Sequence, residues 1–75
     1  MQRRVNGAAI RAIRMALGIP QQDLAERSGI SRSHMNKIES GAEAPKFETA
    51  VRIAGQLGVT IDAIAPVVES AAVTA

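Results

Sequence analysis

The run from Gln21 to Glu39, QQDLAERSGISRSHMNKIE, leaves this chain few structural choices. It reads as two short helices joined by a tight turn at Gly29. A chain that stops one helix and at once enters another needs a residue that tolerates positive φ, and glycine does so without steric cost. Ser31 is placed to cap the second helix, with Ile30 and Met35 as the N′ and N4 partners of a hydrophobic staple. Ala25, four residues before Gly29, supplies the small side chain that two steeply crossing helices need where their backbones come close.

At 100° per residue the second helix has two faces. Met35 and Ile38 share one, with Ser31 between them, while Arg32, Ser33, Asn36 and Lys37 group on the other. None of the latter is acidic, and Arg, Ser, Asn and Lys are side chains that reach base edges and phosphates in the major groove. Taken alone, the pattern suits an ordinary solvated amphipathic helix as well as a DNA recognition helix. The helix and turn in front of it favour the second, with Ser31–Glu39 as the reading helix.

A chain of 75 residues makes one domain with a single core of limited stability. Apolar residues are 47% of it and Phe47 is the only aromatic, so the core is expected to be aliphatic, which suits helices better than a sandwich. Without cysteine there is neither a disulfide framework nor a thiolate metal site, and His34, the one histidine, cannot hold zinc alone. No metal or cofactor is therefore expected. No apolar run approaches the ~20 residues that cross a bilayer, and no charged-then-apolar leader opens the chain. A cytoplasmic protein without a membrane partner is the expectation.

The net charge is only +2, but its distribution is uneven. Arg3, Arg4, Arg11, Arg14, Arg27, Arg32 and Lys37 face Asp23 and Glu26 in the first half. In the second half Glu39, Glu43, Glu48, Asp62 and Glu69 face Lys46 and Arg52. A basic half that carries the reading helix is what a polyanionic partner requires.

Residues 1–5 form a short basic arm, which either reaches phosphate through Arg3 and Arg4 or is disordered. The first helix is expected from Asn6, a competent N-cap, to about Leu17, with Ile10, Ile13 and Leu17 as its apolar stripe. Arg14 falls inside that stripe. A guanidinium there must either be paired or snorkel to water, since it cannot lose its charge. Glu39 lies at the boundary of the second helix's inner face. Gly18 ends the first helix. Pro20 cannot cap by side chain, so the next helix relies on its fixed φ and on Asp23 in the first turn. Ser40–Pro45 is a loop with Gly41 as terminator. A fourth helix is expected over Lys46–Leu57 with Phe47, Ala50, Val51, Ala54 and Leu57 inward and Phe47 at the centre of the core. Gly58 ends it, and Thr60 caps a fifth helix from Ile61 to about Ala65. The tail, residues 66–75, admits three readings: a further helical turn, a strand added to a partner chain, or a disordered end.

The residues Leu17–Gly18–Ile19, Gln21, Leu24–Ala25, Gly29, Ile30–Ser31, Met35, Ile38–Glu39, Gly41, Pro45, Phe47, Thr49, Ile53–Ala54 and Leu57–Gly58–Val59–Thr60 together resemble the Cro/C1-type, phage-repressor-like helix-turn-helix family. The resemblance covers roughly residues 7 to 65. It implies an all-α, compact five-helix lambda-repressor-like DNA-binding domain over residues 6–65. It further implies a partly buried ion pair between Arg14 and Glu39, and a Gln21 that bonds backbone phosphate while buttressing the recognition helix. Pro20 departs from the family, which has Thr, Ser or Asn at that cap.

The function expected is a sequence-specific, double-stranded DNA-binding transcriptional regulator that acts by occlusion. Arg32 and Lys37 are the foremost base readers, with Asn36 and Ser33 next. Gln21, Ser31, Ser40 and Lys46 are the phosphate ligands, and His34 is surface. A homodimer on a pseudo-palindromic operator is expected, joined through Ile61, Ile64, Val67, Val68 and Val73. The alternative is an antitoxin-like module whose protein partner is a toxin and whose DNA binding is secondary. No Ser/His/Asp set, phosphate-cradling loop or carboxylate pair stands at useful spacing, so an enzyme is not expected.

Overall fold

The computed structural model describes residues 2–68. Among them five helices form, α1 (Gly7–Ala16), α2 (Gln21–Arg27), α3 (Arg32–Ser40), α4 (Phe47–Leu57) and α5 (Ile61–Ile64). Two short strands, β1 (Gln2–Arg3) and β2 (Val67–Val68), flank them. The five-helix, all-α expectation holds, with a small two-stranded ribbon added.

Each helix starts and stops for a local reason. Asn6, in extended backbone, accepts a bond from the Ala9 N–H at 3.1 Å and opens α1. Ser31 does the same for α3, its Oγ accepting from the His34 N–H at 3.0 Å. Pro20 begins α2 with no side-chain cap, and Asp23 stands in the first turn. The stop at Gly29 has φ +75°. There the Gly29 N–H bonds the Glu26 carbonyl at 3.1 Å and the Ile30 N–H bonds that of Ala25 at 3.0 Å, the paired closure that a left-handed residue permits. The same two bonds close α1 onto Met15 and Arg14, and α3 onto Ile38 and Lys37. Ile30 packs against the core cluster to which buried Met35 belongs, as a hydrophobic staple requires.

The core is aliphatic. Ile10, Leu24, Met35, Ile38, Ile53 and Ile64, at least one from every helix, are fully buried. Burying each contributes about 2 kcal/mol. Gly7, the first residue of α1, is buried against the end of α3, where a Cβ would overlap the Ile38 carbonyl oxygen. The Asn6 N–H donates to the Ile64 carbonyl at 2.6 Å and ties this same corner to α5.

Several expectations need correction. Phe47 is 58% exposed and Val51 43%, so neither is inward. The buried stripe of α4 is Thr49, Ala50, Ile53, Ala54 and Leu57. At 100° per residue Phe47 lies about 90° and Val51 about 130° from the middle of that stripe. Leu17 is also exposed. It shares the azimuth of Ile10 but sits at the C-cap, beyond the last turn that the core covers. Thr60 holds the N-cap position of α5 without a side-chain hydrogen bond. Ile64 is completely buried, so the interface expected through it loses that residue, while Ile61 is only partly buried against the core. Nor are arm and tail independent at the ribbon: Gln2 pairs with Val68 and Arg3 with Val67, antiparallel. The remainder of the tail, including Val73, lies outside the described residues.

Candidate nucleic-acid interface

The inner face of α3 is held from three sides. Met35 and Ile38 are in the core, and the Glu39 side chain is only 3% exposed. Its carboxylate accepts from Arg14 twice, Nε to Oε2 at 2.8 Å and Nη2 to Oε1 at 3.1 Å. Gln21 Nε2 donates to Oε1 at 3.2 Å. Arg14 spends a further donor, Nη1, on the Ile19 carbonyl at 2.9 Å. A buried charge is tolerable when its partner is charged and its remaining sites are bonded, and here both conditions are met. The result joins α1, the start of α2 and the end of α3 through one carboxylate.

The outer face of α3 is open. Arg32, Ser33, Asn36 and Lys37 are all exposed. Gln21, at the first position of α2, reaches two of them: its Oε1 accepts from Arg32 Nε at 3.4 Å, and its Nε2 lies 3.5 Å from Asn36 Oδ1. A polar chain thus runs from buried Arg14 through Glu39 and Gln21 to the surface at Arg32 and Asn36. Ser31 is committed to its cap. Ser40 Oγ donates to the Lys37 carbonyl at 3.1 Å and accepts from the Ala42 N–H at 3.4 Å, which closes the helix end. Lys46 is exposed at the N-cap of α4, across the loop from α3. His34 is half-buried at the edge of the outer face.

Three features of this region have no counterpart in the sequence pattern. Glu43, in the loop, sets its carboxylate 3.6 Å from Lys37 Nζ and 3.4 Å from His34 Nε2. The pairing spans Gly41, and no helical spacing rule connects positions six apart across a turn. Arg52 Nη1 donates to the Ser28 carbonyl at 3.5 Å and fastens the end of α2 to α4. Gly7 is the third, since only tertiary structure reveals what its missing Cβ would meet.

Residues 10–64 match the helix-turn-helix family model. The chain belongs to the Cro/C1-type helix-turn-helix family. It is 38% identical over 58 residues to the immunity repressor protein of Bacillus phage phi105, covering 77% of this chain and 40% of that protein. It is 43% identical over 49 residues to an uncharacterized HTH-type transcriptional regulator of Methanothermobacter thermautotrophicus, covering 65% of this chain and 71% of that one. The fold is similar to the P22 c2 repressor solved in complex with a synthetic operator, with TM-score 0.71 and 28% identity over 75% of this chain and 85% of the repressor. The chain therefore spans less than half the length of the phi105 repressor. In this family's terms α2 and α3 are the helix-turn-helix pair. No helix among the described residues is long and apolar enough to cross a membrane. No group of three or more histidines and carboxylates among them could hold a metal ion.

Proposed function

We propose that this chain regulates transcription by laying α3 in the major groove of a specific operator, where the bound protein blocks polymerase or a competing regulator. One observation carries the reading. α3 is locked on its inner face by Met35, Ile38 and the Arg14–Glu39–Gln21 cluster, while Arg32, Ser33, Asn36 and Lys37 stand exposed on the other. A rigid helix with a polar, non-acidic outer face is the device that direct readout needs. Arg32 and Lys37 read bases, with Asn36 and Ser33 beside them. Gln21, Ser31 and Lys46 fix the register through phosphates, and Ser40 joins them by turning its hydroxyl from the Lys37 carbonyl to phosphate. Two subunits bind a pseudo-palindromic site as a homodimer, and the cytoplasm is where such a protein meets its DNA. Sequencing the genomic fragments that the purified chain retains against excess random competitor tests the reading. A recurring motif with two inverted halves supports it, and recovery of fragments without a shared motif rejects it.

A further inference from the structure

Among the described residues, Glu43 is the carboxylate that the structure pairs with the outer face of α3. The main chain puts it there. The N–H groups of Ala42 and Glu43 both donate to the Lys37 carbonyl, at 2.9 and 3.2 Å, and so fold the loop back over the last turn of α3. From that position Oε1 stands 3.6 Å from Lys37 Nζ and Oε2 3.4 Å from His34 Nε2. The placement is unfavourable on two counts. A negative group at a helix C-terminus opposes the macrodipole, and a negative group beside a DNA-facing cation repels phosphate. Nor does the fold require the carboxylate. The backbone already closes α3 at Gly41, and the Glu43 side chain is 48% exposed. It sets an anion of the protein itself beside Lys37 and His34.

We propose that Glu43 is an internal competitor for DNA: a positioning residue that pairs in the free protein with Lys37, a base reader on the operator and a point charge beside phosphate on random sequence, and thereby lowers the affinity of each subunit for every duplex. The inference rests on the reading of α3 as the DNA-facing helix. DNA must take Lys37 from a partner already in place, so the interaction gained is partly offset by the one lost, on preferred and random sequence alike. On random sequence, where Lys37 meets no matching base edge, the acidic loop also withholds from the phosphates a cation that would otherwise release a counter-ion. Weak binding per subunit makes occupancy depend on two subunits engaging together.

The test compares wild type, Glu43→Gln, Glu43→Asp, Lys37→Gln and the double variant Glu43→Gln with Lys37→Gln. Dissociation constants are measured on the preferred operator and on a random duplex across a salt series. Glu43→Gln should tighten both by about three-fold, the size of an exposed ion pair. On the random duplex, where Lys37 has no matching base edge and lies against phosphate, it should also steepen the log–log salt slope by as much as about 0.9. Glu43→Asp, which keeps the charge but draws the carboxylate back by one methylene, should fall between wild type and Glu43→Gln. In the Lys37→Gln background most of the gain from Glu43→Gln should vanish. Unchanged affinity and slope in Glu43→Gln overturn the inference. A gain that persists in full without Lys37 also overturns it, because the carboxylate would then act only by long-range repulsion. Wild type that binds the operator no better than random DNA would instead overturn the reading of α3, and this inference with it.

Discussion

Arg14 and Glu39 meet between α1 and α3 as a two-pronged pair, Nε to Oε2 at 2.8 Å and Nη2 to Oε1 at 3.1 Å. Their side chains are 12% and 3% exposed. A pair this buried adds little relative to a well-packed apolar substitute, because desolvating two charges costs nearly what their attraction returns. Removing one partner is different. It leaves a charge in the interior with nothing to oppose it.

Arg14→Met should therefore lower the unfolding free energy by about 3 kcal/mol or more. Adding Glu39→Leu should restore most of the loss, leaving Gln21 without its acceptor on Glu39 as the residual cost. Denaturant midpoints for the two variants check this. A single variant that unfolds at the wild-type midpoint would mean that both groups are solvated.

Gly7 and Gly55 are both helical, and replacing either by alanine should favour the helix by about 1 kcal/mol on propensity alone. Their surroundings set opposite signs. A Cβ at Gly7 would overlap the Ile38 carbonyl oxygen and come within 2.9 Å of that of Glu39, whereas one at Gly55 meets nothing within 4 Å. Gly7→Ala should destabilise by about 2 kcal/mol through overpacking, and Gly55→Ala should stabilise slightly. Thermal melts that rank the two the other way round would contradict the close approach of α1 to α3.

Base reading and phosphate anchoring separate in the response to sequence. Arg32→Ala should cost about 1–3 kcal/mol on the preferred operator and relax selectivity at one base pair. Lys46→Ala should weaken operator and random DNA equally and flatten the salt dependence. Competition titrations on both duplexes distinguish the two roles, and equal losses for Arg32→Ala would place that residue among the phosphate ligands.

Much of the scaffold was legible because its signals are local. Asn6, Ser31 and Gly29 act within a few residues of themselves, as caps and a stop. Arg14 announces a buried polar cluster by standing on an apolar stripe. Elsewhere the pattern misleads for another cause. Helical periodicity gives an azimuth and not the height at which a core ends, so Leu17 reads as inward although it lies past the last covered turn. Phe47 reads as inward because it stands on an apolar stripe in the sequence, yet the stripe that α4 buries passes through Thr49 and Ile53 instead. The ribbon between Gln2–Arg3 and Val67–Val68 joins the two ends of the described chain. Two-residue strands carry too little pattern to be read. Glu43 and Gly7 matter through what folding brings to them.

Two subunits on one operator would need a surface that joins them. One copy of α3 presents side chains for only a few base pairs, each adding about 1–3 kcal/mol of discrimination, against the ~4–10 kcal/mol that separates specific from non-specific binding. A second subunit closes that gap if its reading helix lies about 34 Å away on the same face of DNA. Ile64 is in the core and Ile61 packs partly buried against it. Met15 and Leu17 at the end of α1 and Phe47 and Val51 on α4 are the exposed large apolar side chains, and of these Phe47 and Val51, one helical turn apart and both outward, make a patch on a single helix face. A two-fold contact would pair this patch with its own copy, and one aromatic and one valine make it small enough to form chiefly on DNA. Phe47→Ser combined with Val51→Ser should leave the fold and single half-site affinity nearly unchanged while abolishing cooperativity on a two-half-site operator. Deleting Glu69–Ala75 should leave cooperativity intact. If the double variant still binds both half-sites cooperatively and the deletion does not, the subunits meet through the tail and not through α4.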